Sequence, residues 1–249
     1  MEKVEFLKNI GLIQKNYKGQ LVPAGAGIIF VIGGIVVWII LLHTTFIGDI
    51  ILEKLVFLTT ITGSAGLLDD MQGTKNFRGF NGHLNGILNG VITTGLLKAI
   101  SIFAASFIVI YTSGIKQYII IDVGILVLMS HFHNLLDLRP GRTIKFFLLY
   151  VIIIIFVQPF FVIYLMPLLI IMVFYSYFDL KAKVMLGDTG SYTLGIVLGF
   201  LTVKVFSYKY KFYIFIFLII MTLLSEKYSF SSYINKNRIL NWLDMLGRR

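Results

Sequence analysis

Three short stretches of this chain carry residue types that could do chemistry beside apolar runs. Asp69 and Asp70 close the apolar run in "SAGLLDDMQGTKNFRGFNGHL", residues 64–84. In "SHFHNLLDLRPGR", residues 130–142, His131, Asn134 and Asp137 recur at i, i+3 and i+6 and share one face of a helix, and His133 and Asp137 are i, i+4 neighbours. In "DLKAKVMLGDTGS", residues 179–191, Gly187, Asp188, Gly190 and Ser191 stand where a helix begins. The chain has no cysteine, so thiolate metal sites, disulfides and cysteine nucleophiles are excluded. An oxygen-rich, sulfur-free set suits a hard cation such as Mg²⁺, which keeps several waters and bridges to phosphates. Backbone N–H groups at a glycine-bearing helix start can receive phosphate oxygens, and Lys181, Lys183, Arg139 and Arg142 supply counter-charge. Phosphoryl transfer is the chemistry these parts fit. A cation relieves the repulsion between Asp69 and Asp70, and a carboxylate beside another can keep the basicity needed to deprotonate a nucleophile. Taken singly, each stretch has a plainer reading: a solvated helix end, packed histidines, a turn with its N-cap.

The elements that must position these residues are membrane helices. Of 249 residues 57% are hydrophobic, with a mean hydropathy of +0.88, which points to an all-α, polytopic membrane protein and sets aqueous folds aside. Eight spans are expected, near the roughly 20 residues that cross a bilayer: 24–42, 49–68, 95–112, 118–136, 143–157, 160–179, 190–206 and 211–225. Gln158-Pro159 is expected to separate two helices by a tight re-entry. Of the 22 Lys and Arg, all but Lys54, Lys116, Lys204, Lys209 and Lys211 then fall on one side, which fixes both termini inside. The +10 net charge is thereby a topology signal, and nucleic acid is not expected as a partner. Three segments follow: a cytoplasmic 1–23 without signal-peptide features, a transmembrane 24–225, and a cytoplasmic amphipathic tail, 226–249, with Ile239, Leu240, Leu243 and Leu246 beside Trp242. The piece 84–98 is expected at the cytoplasmic interface, and Glu53, Lys54 and Asp122 read as boundary residues at outer span ends.

In this order the motifs resemble the polyprenyl-phosphate N-acetylhexosamine-1-phosphate transferase superfamily. "NYKGQLVPAGAG" resembles its early R-G-x-x-x-P-T-x-G-G loop, "LLDD" its Asp-Asp motif, "RGFNGHL" its K-G-F-K-G-H segment, "HNLLDLRPG" its N-x-x-D-G-x-D-G motif, and "AKVMLGDTGSYTLG" its A-K-x-F-M-G-D-x-G-S-x-x-L-G. The chain departs at Leu138, at Pro140 in place of the second acid, and at His131 in place of an asparagine. The resemblance implies attack of a polyprenyl phosphate, such as undecaprenyl phosphate, on a UDP-linked N-acetylhexosamine, releasing UMP in a cell-envelope pathway. The site would face the cytoplasm from the inner (plasma) membrane. It implies Asp69 as base toward the lipid phosphate with Asp70 as its partner, Asp188 on Mg²⁺, and Asn134 and Asp137 organising the metal, diphosphate and nucleotide region. Asp69, Asp70 and Asp137 are thus the expected catalytic residues; Asn134, His131, Arg139, Arg142, Lys183, Gly187, Gly190 and Ser191 are the expected substrate-binding set. Expected partners are the lipid phosphate, the UDP-sugar and the bilayer, with homodimerisation left open. A non-catalytic relative that binds lipid carrier or envelope enzymes is the alternative, and metal-dependent UMP release separates the two.

Overall fold

The computed structural model describes residue 7 and residues 9–72, 93–114 and 117–248. The "RGFNGHL" segment and most of 84–98 lie outside the described residues. A hairpin of β1 (Ile13–Lys15) and β2 (Leu21–Pro23) comes first, antiparallel with Gln14 opposite Val22. Then follow α1 (Ile28–Thr44), α2 (Ile50–Gln72), α3 (Thr94–Tyr111), α4 (Ile119–Leu136), α5 (Arg142–Val157), α6 (Val162–Leu180), α7 (Gly187–Val205) and α8 (Tyr208–Lys227). Two short tail helices, α9 (Phe230–Lys236) and α10 (Arg238–Met245), end the chain.

Each of the eight expected spans is a helix. Among the described residues, five apolar helical stretches are long enough to cross a membrane: Ile50–Gln72, Thr94–Tyr111, Ile119–Leu136, Pro159–Leu180 and Tyr208–Lys227. Between α5 and α6, Pro159 has no N–H to continue the ladder, and Pro159–Phe161 form a single 3₁₀ turn that separates two helices. The protein is an all-α polytopic membrane protein. Residues 94–98, at the end of the piece expected along the interface, begin α3.

The bundle is organised around α7, whose residues from Thr189 to Thr202 are all buried. Glycines permit this. A Cβ on Gly195 would lie 2.5 Å from the Cα of Ser130 in α4, and one on Gly190 would lie 2.6 Å from the Cα of Gly27, where α1 begins. Small residues let backbones approach closely, which is how helices associate when lipid is as apolar as their side chains. Phe30, Trp38, Phe147 and Phe200 fill the gaps, fully buried, and the Trp38 indole N–H donates to the Tyr164 carbonyl at 2.9 Å.

One boundary residue is also buried. Asp122, in the first turn of α4, is 3% exposed and pairs at 2.7 Å with Lys211 of α8, itself 7% exposed. Burying either charge alone is costly, so each position is tolerable because of the other. Lys211→Met alone should lower stability by about 3–5 kcal/mol, whereas Asp122→Leu/Lys211→Met should recover most of it. Thermal unfolding in detergent reads this, and equal losses in single and double variants would contradict the pairing.

Candidate functional site

Antiparallel helices of similar length bring alternate ends to one level, and that level gathers the polar residues. The C-terminal ends of α2, α4 and α6 meet the N-terminal ends of α3, α5 and α7 there. Asp69 and Asp70 leave α2 on adjacent positions and therefore point in different directions.

Asp70 points to α7. Its carboxylate accepts from the backbone N–H of Asp188 at 2.8 Å, from that of Thr189 at 2.9 Å and from the Thr189 hydroxyl at 2.6 Å. The first N–H groups of a helix have no partner within it, and the residue before α7, Leu186, has no side chain that could cap. A carboxylate from another helix takes over that role and complements the positive end of the helix dipole. Gly187 has φ +72°, and a Cβ there would lie 2.6 Å from Asp70 Oδ2, so the backbone turn that presents these N–H groups requires glycine. The Gly187 N–H donates to Asp137 Oδ2 at 3.2 Å. The helix start read as a phosphate cradle is thus engaged by two of the chain's own carboxylates, and Gly190 serves the helix crossing described above.

Asp69 points to α3. Its Oδ1 accepts from the Thr94 hydroxyl at 2.5 Å and its Oδ2 from Lys98 Nζ at 2.7 Å. The same ammonium donates to Asp188 and lies 4.4 Å from the centre of the Tyr192 ring. Lys98 is buried, with its side chain 8% exposed, while the side chains of Asp69 and Asp188 are 18% and 23% exposed. One ammonium therefore joins two carboxylates that remain open to a ligand. Among the described residues, Lys98 is the functional candidate that the sequence reading passed over; its signal was a cation near the start of an apolar helix.

A neutral network lies beside this triad. Ser191 Oγ donates to Asn134 Oδ1 at 3.1 Å, Asn134 Nδ2 donates to the Tyr192 hydroxyl at 3.4 Å, and His131 Nδ1 lies 3.4 Å from that hydroxyl. His133, fully buried, turns away and donates from Nδ1 to the Met129 carbonyl at 2.9 Å. Burial pushes the Asp137 carboxyl well above the usual carboxylate range, and the nearby Asp179, Asp188 and Asp70 push it further. An open pocket adjoins it, lined by Asn16, Tyr17, Asp137, Arg139, Asp179 and Met185 among others. The Arg139 guanidinium lies 4.8 Å from the centre of the Tyr17 ring. Lys183 is exposed on the loop before α7. Arg142 faces away, into a buried ion pair with Asp244 at 2.7 Å.

The sequence profile of glycosyl transferase family 4 matches residues 52–206, which contain Asp69, Asp70, Lys98, Asn134, Asp137 and Asp188. The chain belongs to glycosyl transferase family 4. Its general activity is that of a polyprenyl-phosphate sugar-1-phosphate transferase, embedded in a membrane. Comparison with curated proteins and with solved structures gives no match.

For a family 4 site, the electrostatics of this one are telling. Asp69 and Asp188 bring two partly exposed carboxylates to helix ends where, among the described residues, Lys98 is the cation in direct contact with them. Hard oxygen donors in excess over cations fit Mg²⁺. No group of three or more acids or histidines among the described residues could cage an ion. Such an ion would complete its shell with water and phosphate oxygens, as Mg²⁺ commonly does.

Asp70→Ala should remove the α7 cap and destabilise the protein by about 2 kcal/mol or more, with Asp70→Asn intermediate because an amide oxygen still accepts. Thermal unfolding of the purified variants measures this. A wild-type midpoint for Asp70→Ala would show that the cap contributes nothing.

Proposed function

We propose that this chain transfers an N-acetylhexosamine 1-phosphate from its UDP-linked donor to a polyprenyl phosphate, undecaprenyl phosphate among the candidates, at the cytoplasmic face of the plasma membrane. The observation that carries the reading is the Asp69–Lys98–Asp188 triad at the helix ends of a family 4 chain, open enough to meet a diphosphate. A phosphate oxygen of the lipid attacks the phosphorus that bears the sugar. The bond from that phosphorus to the bridging oxygen breaks, and UMP leaves with the electron pair. The product is the polyprenyl diphosphate sugar, which starts an envelope glycan.

Asp69, oriented by Thr94 and Lys98, receives the proton of a lipid phosphate that arrives as the monoanion. Lys98 places positive charge where the diphosphate spreads its own in the transition state. Its amine is fixed by two carboxylates and the Tyr192 face, so little reorganisation is needed during reaction. Asn134, Ser191 and Tyr192 offer amide and hydroxyl groups for the sugar and phosphate edges. Arg139 over Tyr17, beside Asp137, suits the nucleotide end: a guanidinium and an aromatic face suit phosphate and base. Mg²⁺ fits against Asp188 with Asp69 or Asp137 nearby and, when bound, supplies charge neutralisation on the diphosphate and on departing UMP. The basic residues that flank this end of the bundle support its placement toward the cytoplasm.

UMP release by purified protein, given undecaprenyl phosphate, Mg²⁺ and a panel of UDP-N-acetylhexosamines, tests the reading. Wild type should release UMP with at least one donor, and release should stop with chelator. Asp188→Asn should abolish it without lowering expression, and Asp69→Asn should slow turnover by about 10²–10⁴-fold while nucleotide still binds. Full turnover in Asp188→Asn would remove its assignment to the metal.

A further inference from the structure

The tail closes against the reaction end of the bundle through charge. Asp244 in α10 is 6% exposed, and its two oxygens accept from Arg142 Nε at 2.7 Å and Arg142 Nη2 at 2.8 Å. This is a two-pronged guanidinium–carboxylate pair across 102 residues, and Arg142 is itself only 6% exposed. The remaining Arg142 nitrogen, Nη1, donates to Ser231 Oγ in α9 at 2.8 Å. Arg248 adds a second guanidinium to the same carboxylate and donates from Nε to the Pro140 carbonyl at 2.6 Å. Lys145 Nζ donates to the carbonyls of Leu243 and Asp244 at 2.9 and 2.8 Å.

All of these contacts land on or beside the loop that joins α4 to α5. That loop begins with Asp137, whose carboxylate takes the Gly187 N–H, and continues through Arg139, stacked on Tyr17, to Gly141. Gly141 has φ +78° and donates to Asp179 Oδ2 at 2.6 Å. The tail therefore fixes one side of a loop whose other side lines the pocket next to the triad. Trp242 and Ile239 stay exposed on α10, so the helix is held by its polar contacts rather than by an apolar core.

We propose that Asp244 is a positioning residue for the transfer reaction: it holds Arg142 and Arg248, and through them the Asp137–Gly141 loop, in the geometry that receives the donor. The inference rests on the transferase reading above and adds to it a part for the C-terminal segment. Burial alone would raise the Asp244 carboxyl, and the hydrogen bonds and charges of Arg142 and Arg248 overcome this and hold it below the usual carboxylate range. A carboxyl lowered by folding stabilises above its unfolded pKa of about 4 and loses that contribution only as pH falls through the lower folded value. The clamp accordingly stays closed throughout the neutral range.

Two readouts on the full chain test it. With no native cysteine, spin labels on Tyr177→Cys and Ile239→Cys, both exposed, report the separation of tail and bundle without substrate. Wild-type background should give one narrow distance, Asp244→Asn a broadened one, and Asp244→Glu should restore it. In the UMP assay, Asp244→Asn should raise the donor KM tenfold or more with kcat within threefold, and Asp244→Glu should bring KM back to within threefold of wild type. Arg248→Gln, which frees the Pro140 carbonyl, should raise KM in the same direction, and it serves where Asp244→Asn does not fold. A narrow distance or an unchanged KM in Asp244→Asn overturns the proposal, as does an equal fall of kcat in both Asp244 variants. A wild type that turns over no donor, yet shows a narrow distance that Asp244→Asn broadens, contradicts the transferase reading and leaves the clamp standing.

Discussion

The seating of Asp70 on the first turn of α7 is the constraint from which the rest of the site follows. Two backbone N–H groups and one hydroxyl converge on a single carboxylate from another helix, so the start of α7 cannot shift without exposing unpaired donors in a buried place. With α7 fixed, Asp188 is delivered to Lys98, Ser191 to Asn134, and Tyr192 to the space beneath the ammonium. The glycines at 27, 187 and 190 belong to the same arrangement, because each marks a place where side-chain bulk would push α7 away.

The adjacent aspartates of α2 are thereby divided in labour. Asp70 is saturated with donors from α7, whereas Asp69 keeps partial exposure and, among the described residues, pairs with the Lys98 ammonium. Neighbouring positions on a helix point about 100° apart, so two acids in sequence become acids in two environments. Charge at membrane depth is expensive unless paired, and the chain meets that cost at both ends of the bundle: with Lys98 among carboxylates at the site, and with Lys211 on Asp122 away from it. The first pairing stays accessible and the second is sealed, which is the difference expected between a reactive centre and a structural one.

Much of the fold was legible because long apolar runs leave a membrane chain few alternatives to helices, and all eight expected spans are helical. The polar ends were legible as clusters for the same reason: Asp, Asn and His at span ends stand out against apolar sequence. Partnerships across the chain were not. Nothing local distinguishes Arg142, paired with Asp244 across 102 residues, from Arg139, which faces the pocket. Lys98 read as one more orienting charge, although its ammonium joins two of the acids singled out. Helix α7 has no one-sided apolar stripe to show which face packs, so its place at the centre emerged only from its packing. The hairpin at residues 13–23 is held by Asn16, whose side chain reaches the Ala182 carbonyl at 3.0 Å, a contact without periodicity to announce it.

The central claim is that the Asp69–Lys98–Asp188 triad is where the diphosphate reacts. The most direct measurement is a cryo-electron-microscopy map of the protein in lipid nanodiscs with a UDP-N-acetylhexosamine and Mg²⁺. The account predicts diphosphate density within hydrogen-bond reach of Lys98 Nζ and beside Asp188, with the nucleotide toward Tyr17 and Arg139. Diphosphate density elsewhere in the molecule, with the triad closed and unchanged, would contradict it.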